Sequence, residues 1–176
     1  MLKFNVTIKG VAPLLFNRYP DEENFEGVSK ARTAIGSSEE QTEKSLYRTD
    51  NGEIYSPADH LIGAMVKSGS NFKLKGKQTF KDVMKAGVFI NPLQIVHLNQ
   101  AYVTDRRPVV IQRARIMKPR ARMDEWSLKF ELVCIDDRAN ARDIQDVLEY
   151  AGTYVGIGDY RPRYGRFEVT EFTKVV

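Results

Sequence analysis

A single cysteine, Cys134, excludes an internal disulfide and a cysteine-based zinc site. Flanked by Val133 and Ile135, it reads as a buried, inert thiol. Histidine is nearly as scarce, with only His60 and His97. His60 follows Asp59 at a helix start and His97 sits in an apolar strand, so neither joins a recognisable catalytic set. No apolar run approaches the ~18 residues that a membrane-crossing helix needs. The stretch from Met1 to Lys9 alternates and lacks the apolar core of a signal peptide. A cytoplasmic location without membrane contact is therefore expected. Asp21-Glu22-Glu23 lacks the spaced oxygen ligands and glycine turn of a calcium loop and reads as a solvated acidic loop. No metal, cofactor or catalytic set is expected.

The chain is not short of charge, but its charge is uneven. The formal net charge is +4 over 176 residues. Residues 17–52 hold five Lys/Arg and eight Asp/Glu, a balance of −3, which leaves +7 for the rest. Residues 101–123 hold seven Lys/Arg against one acid, Asp105. Such a stripe attracts phosphates, or else forms a solvated charged hairpin.

The length suits one domain over 1–176 with a sizeable core and insertions. Leu2, Phe4, Val6 and Ile8 alternate with polar residues, which predicts a half-buried strand. The weakly apolar stretch 17–52 is expected to be an insertion that is mobile or orders on a partner, with a short helix over 39–47. Ser56-Pro57-Ala58-Asp59 predicts a helix start with Ser56 as N-cap, and Gly69 its end. Residues 71–85 carry Lys73, Lys75, Lys77, Lys81 and Lys85, with a short helix expected over 78–86. Val88–Ile90 and Ile95–Leu98 mark strands broken by Pro92. Residues 106–118 read as extended and basic, with a turn at Pro119. Trp126, Leu128, Phe130, Leu132 and Cys134 alternate as a strand. Asn140 and Asp143 form a capping-box pattern ahead of a helix that Gly156 stops. Phe167, Val169 and Phe172 belong to a last strand, with a bulge near Thr170-Glu171.

Without insertions the order is strand, helix, strand, strand, helix, strand. It predicts an α+β, ferredoxin-like or RNA-recognition-type antiparallel sheet with two helices on one face. The other sheet face would then be free to bind. The stretch Gly156-Ile-Gly-Asp-Tyr-Arg-Pro-Arg-Tyr-Gly165-Arg-Phe167 joins the last helix to the last strand. Gly156, Gly158 and Gly165 supply backbone freedom. Arg161, Arg163 and Arg166 supply charge, and Tyr160 and Tyr164 supply flat faces for stacking. Close approach, cations and aromatics together suit a polyanion that carries bases. The plainer reading is a helix-to-strand turn with Gly156 as C-cap. No Gly-Lys-Ser/Thr follows, so the loop is not a nucleotide P-loop.

Two segments resemble the RAMP superfamily, the repeat-associated proteins that form the backbones of CRISPR effector complexes. Ile54-Tyr-Ser-Pro57-Ala-Asp-His-Leu61-Ile-Gly63-Ala-Met is similar to its Pro-Gly-Ser-Ser-Leu-Lys-Gly helix start. Gly156–Phe167 is similar to its C-terminal glycine-rich loop. Ala58 and Pro162 depart from those patterns. The chain is short for a CRISPR backbone subunit, so a stand-alone or phage-encoded relative is expected. The basic segment 101–123 and the loop point to binding of single-stranded nucleic acid without cleavage, and the resemblance favours RNA before DNA. The phosphate contacts would be Arg106, Arg107, Arg113, Arg115, Lys118, Arg120 and Arg122. The loop Gly156, Gly158, Tyr160, Arg161, Arg163, Tyr164, Gly165 and Arg166 would cradle and stack. The implied partners are the strand and further copies or effector-complex subunits side by side along it. Two alternatives stand beside this reading. One is a metal-independent endoribonuclease of the same fold using a histidine, His60 or His97. Other relatives place an aspartate of an early loop against the RNA 2′-hydroxyl, and Asp21 and Asp50 lie in a region of that kind without a pattern that selects either. The other is an interaction module whose basic surface meets an acidic protein.

Overall fold

The computed structural model describes residues 1–18, 37–111 and 113–175. The chain forms β1 (Leu2–Gly10), β2 (Leu14–Leu15), α1 (Ser38–Lys44), β3 (Tyr55–Pro57) and α2 (Ala58–Gly69). Next come β4 (Lys73–Lys75), β5 (Gln78–Thr79), α3 (Lys81–Gly87), β6 (Val88–Asn91) and β7 (Gln94–Val96). The long hairpin β8 (Val103–Ile111) and β9 (Ala114–Met123) precedes β10 (Ser127–Cys134). Helix α4 (Ala141–Tyr150) widens into a π-turn over Ala151–Val155, and β11 (Phe167–Lys174) closes the fold.

The fold is α+β. Its main sheet has the order β11-β1-β10-β6 and is antiparallel throughout. Alternation explains its two faces. Phe4, Val6 and Ile8 of β1 meet Leu132, Phe130 and Leu128 of β10 across the sheet, and all six are buried. Leu61 and Met65 of α2 and Ile144, Val147 and Leu148 of α4 pack into the same core. The opposite face carries Lys3, Lys9 and Lys129 against Glu131, Glu168 and Glu171, so it has no excess of cations. The bulge expected near Thr170 is present: the β1–β11 register shifts between Thr7 and Ile8, which skips Thr170.

A second sheet, ordered β2-β9-β8, carries the basic stretch. The expected turn at Pro119 does not form. Pro119 lies within β9 opposite Arg106, and the chain reverses between Ile111 and Ala114. On β9, strand β2 pairs with Arg122 and Met123 and not with Pro119, so Pro119 costs no bond to that neighbour.

Residues 37–52 pack onto this sheet. A capping box of Ser37 and Glu40 starts α1. The Ser45 hydroxyl accepts a 2.8 Å hydrogen bond from the Ala121 amide, and Leu46 enters the core. The rest of the expected insertion, 19–36 with Asp21, lies outside the described residues. Asp50 occupies an exposed turn. Among the described residues no helix is long and apolar enough to cross a membrane.

The cap of α2 differs from expectation by one residue. Pro57 is the N-cap, and it offers no side-chain bond. The Ser56 hydroxyl shares a 2.9 Å hydrogen bond with His97 Nε2 instead.

Candidate nucleic-acid interface

The two basic segments found in the sequence meet at the base of the β8–β9 hairpin. Side chains directly opposite in an antiparallel pair share a face. The pairs Val103–Arg122, Asp105–Arg120 and Arg107–Lys118 therefore line one face of the hairpin. The glycine loop folds against that face. The Arg107 guanidinium lies 5.3 Å from the Tyr160 ring centroid and 4.7 Å from that of Tyr164, and donates to the Tyr164 hydroxyl. The two tyrosine rings stand edge to face at 5.9 Å. Tyr160 stays half open to solvent, at 48% exposure.

Carboxylates take up part of the positive charge. Asp105 accepts from Arg107 and from Arg122, each at 2.7 Å, and Arg122 also donates to Asp124 at 2.7 Å. Burial would raise the Asp105 carboxyl, but the two guanidiniums outweigh it and hold the group below its ordinary value. Arg120 is buried and donates to Asp159, while its Nε and Nη2 have no partner among the described residues. Burial, and then the charge of Arg120, press the Lys118 ammonium below its ordinary value. Lys118 donates to Asn17 at 2.7 Å, and Arg106 to the Ser38 hydroxyl at 3.2 Å. Arg113 and Arg115 are exposed toward the hairpin tip, where Arg113 adopts a positive φ of 68°. No carboxylate pairs with Arg106, Arg113, Arg115, Lys118, Arg161, Arg163 or Arg166 among the described residues.

The glycines of the loop answer to the protein's own backbone. Gly156, Gly158 and Gly165 all have positive φ, at 73°, 75° and 70°. A Cβ on Gly156 would stand 2.9 Å from the Tyr164 carbonyl oxygen. One on Gly158 would stand 2.8 Å from that of Leu15, and one on Gly165 would overlap that of Ile157. The Asp159 amide donates to Leu15 at 2.8 Å, and the Gly165 amide to Pro13 at 2.7 Å. The loop is thus pinned to β2, which also pairs with β9.

Beside the loop lies a cavity of about 140 Å³, lined among others by Asn17, Tyr47, Ser56, His60, Asp159 and Arg161. Burial, and then the charge of Arg161, lower the His60 ring below its ordinary value. His97 is different. It is 2% exposed, sits edge-on to Phe16 and Trp126, and burial brings its pKa down to about 4. A strand cannot reach it.

The structure thus joins Arg107, Arg120, Tyr160 and Tyr164 in one cluster, places Arg161 at the neighbouring cavity, and sets Arg113 and Arg115 apart at the tip. Sequence reasoning missed Asp105 and Asp159 as partners of these cations, and Tyr47 and His60 as neighbours of the loop. The signal for Asp159 was present, as the one acid inside a basic loop. Among the described residues, no group of three His, Cys, Asp or Glu side chains could hold a metal ion.

No protein-family model matches the chain. No curated protein matches it either. A solved structure similar to it is that of a CRISPR protein from Archaeoglobus fulgidus. The similarity covers 100% of this chain at 14% identity, with a TM-score of 0.44, and this chain spans 65% of the length of that protein.

Proposed function

We propose that the protein binds single-stranded nucleic acid without cleaving it, through the surface shared by the β8–β9 hairpin and the glycine loop. One observation carries this reading: Arg107 of the hairpin, itself paired to Asp105, stands against Tyr160 and Tyr164 of the loop, and Arg106, Lys118, Arg161, Arg163 and Arg166 of the same two segments have no carboxylate partner among the described residues. Half-open aromatic rings suit stacking of splayed bases, and guanidiniums suit phosphates. The sequence resemblance of the loop and helix start favours RNA over DNA, and copies side by side along the strand.

Fluorescence anisotropy on labelled 20-nucleotide RNA and DNA strands tests it. With about four to six phosphates neutralised, the log-log salt slope should be roughly −3 to −4. Tyr160→Ala should lower affinity about tenfold, the lower end for one stacked base. Arg161→Ala with Arg163→Ala should flatten the slope by about 1.4. A flat salt response, or wild-type affinity in all these folded variants, overturns the proposal.

His60 favours a second reading, metal-independent RNA cleavage, because its neutral ring faces the same cavity as Arg161. Product that accumulates in EDTA and disappears in His60→Ala would establish it.

A further inference from the structure

The strand-binding surface leaves one strongly charged region unused. The last turn of α2, the β4–β5 hairpin and α3 carry Lys67, Lys73, Lys75, Lys77, Lys81 and Lys85 against a single acid, Asp82. All six lysines are exposed. None of them pairs with a carboxylate among the described residues. The β4–β5 turn, with Gly76 at φ 58°, lifts Lys75 and Lys77 at its tip. No aromatic ring is exposed within 67–85: Phe80 is buried, and Phe72 stands edge-on to Tyr150 at 5.5 Å. Residues 67–85 thus present point charge and no open ring, which suits phosphates and not bases; the exposed Tyr154 is tilted against Tyr150, on the far side of that ring contact.

This region is also connected to the loop. His60, which lines the cavity with Arg161, opens a stripe on α2 that continues through Gly63 to Lys67, at helical spacings of three and four. Gly63 is exposed, and beyond its chain neighbours and its own helix backbone no atom of the described residues lies within 4 Å of where its Cβ would be. The stripe is therefore uncrowded, and the one acid beside it is the exposed Asp59, a helical turn before Gly63 at its loop end. The twelve residues of α2 span about 18 Å, the length of roughly five stacked nucleotides.

We propose that the lysine hairpin is a second, stacking-free contact for the same strand: it holds phosphates about five or more nucleotides away from the tyrosines, reached along the His60–Gly63–Lys67 stripe. This rests on the strand-binding reading above. It predicts dependence on strand length.

The test compares oligouridylates of 4 and 20 nucleotides by competition anisotropy, on the full chain. One variant combines Lys73→Gln, Lys75→Gln and Lys77→Gln. Gly63→Glu, at an exposed helix position, places a negative charge in the middle of the stripe. The triple variant should lose tenfold to a hundredfold of its affinity for the 20-mer at about 0.1 M salt, and its salt slope should fall by about 2. Gly63→Glu should weaken the 20-mer as well. Both variants should hold the 4-mer as the wild type does. Unchanged affinity for the 20-mer, or an equal loss on both lengths, overturns the inference while the loop site stands. Failure of the wild type to bind either strand overturns both readings. Binding of polyglutamate through these lysines, with no effect of them on the 20-mer, would assign the surface to an acidic protein and also overturn the inference.

Discussion

Gly165 shows how backbone chemistry and site chemistry interlock. Its φ of 70° and the Ile157 carbonyl oxygen leave no room for a side chain. Gly165→Ala should therefore destabilise the fold by about 3 kcal/mol, the sum of backbone strain and overlap. The melting temperature checks this, and an unchanged value would mean that the loop yields freely. Sequence reasoning marked the three glycines as special but gave them to a ligand. It could not see that their close neighbours are carbonyls of the same chain. Nor could it see that Arg107, Arg120 and Arg122 are matched by acids. The Arg120–Asp159 pair spans 39 residues and exists only once β9 and the loop are packed.

Elements were more legible than their junctions. Alternation exposed β1 and β10, and the Asn140–Asp143 capping box marked the start of α4, as its bonds of 3.0 Å confirm. The hairpin was open to the sequence but its turn was not: the true turn carries no glycine or asparagine, while Pro119, which suggests a turn, sits inside a strand. Ser56 failed as a cap because His97, distant in sequence, takes its hydroxyl. Helix α2 contains a residue with latitude. Gly63 lies in the helix interior, exposed and without near neighbours. Gly63→Ala should add about 0.5–1 kcal/mol of stability, because it narrows the unfolded ensemble and suits the helix. Urea midpoints check this. A loss of stability would mean that the open stripe is itself strained.

For the molecule as a whole, acid is the sensitive variable. The His97 pKa is about 4 in the fold against 6.5 in the free side chain. The unfolded chain then binds the extra proton between these values, so stability is full above about pH 6.5 and falls as pH drops toward 4. The loss is about 3 kcal/mol at most. His60, shifted in the same direction, adds to that window. Asp105 acts separately: its pKa lies below the ordinary carboxylate value, so its contribution is lost only at still lower pH. Urea unfolding of His97→Gln at pH 7 and pH 4.5 should show a smaller difference than the wild type. An equal difference would remove His97 as the cause.

Strand β1 sits between β10 and β11, with Leu2 opposite Cys134 and Phe4 opposite Lys174. In synthesis it is made long before either neighbour. Its apolar row of Phe4, Val6 and Ile8 stays uncovered until β10 and the helices are made, open to chaperones and to other nascent chains. The two ends of the fold nevertheless touch, with the Val175 amide donating to Lys3 at 2.9 Å. A circular permutant linked from 175 to 3 and reopened at the exposed Asp50–Asn51 turn would turn β11 and β1 into a local hairpin. Stopped-flow refolding of that permutant should be roughly tenfold faster than that of the parent, since loop closure no longer delays the central strand. An equal rate would locate the slow step elsewhere.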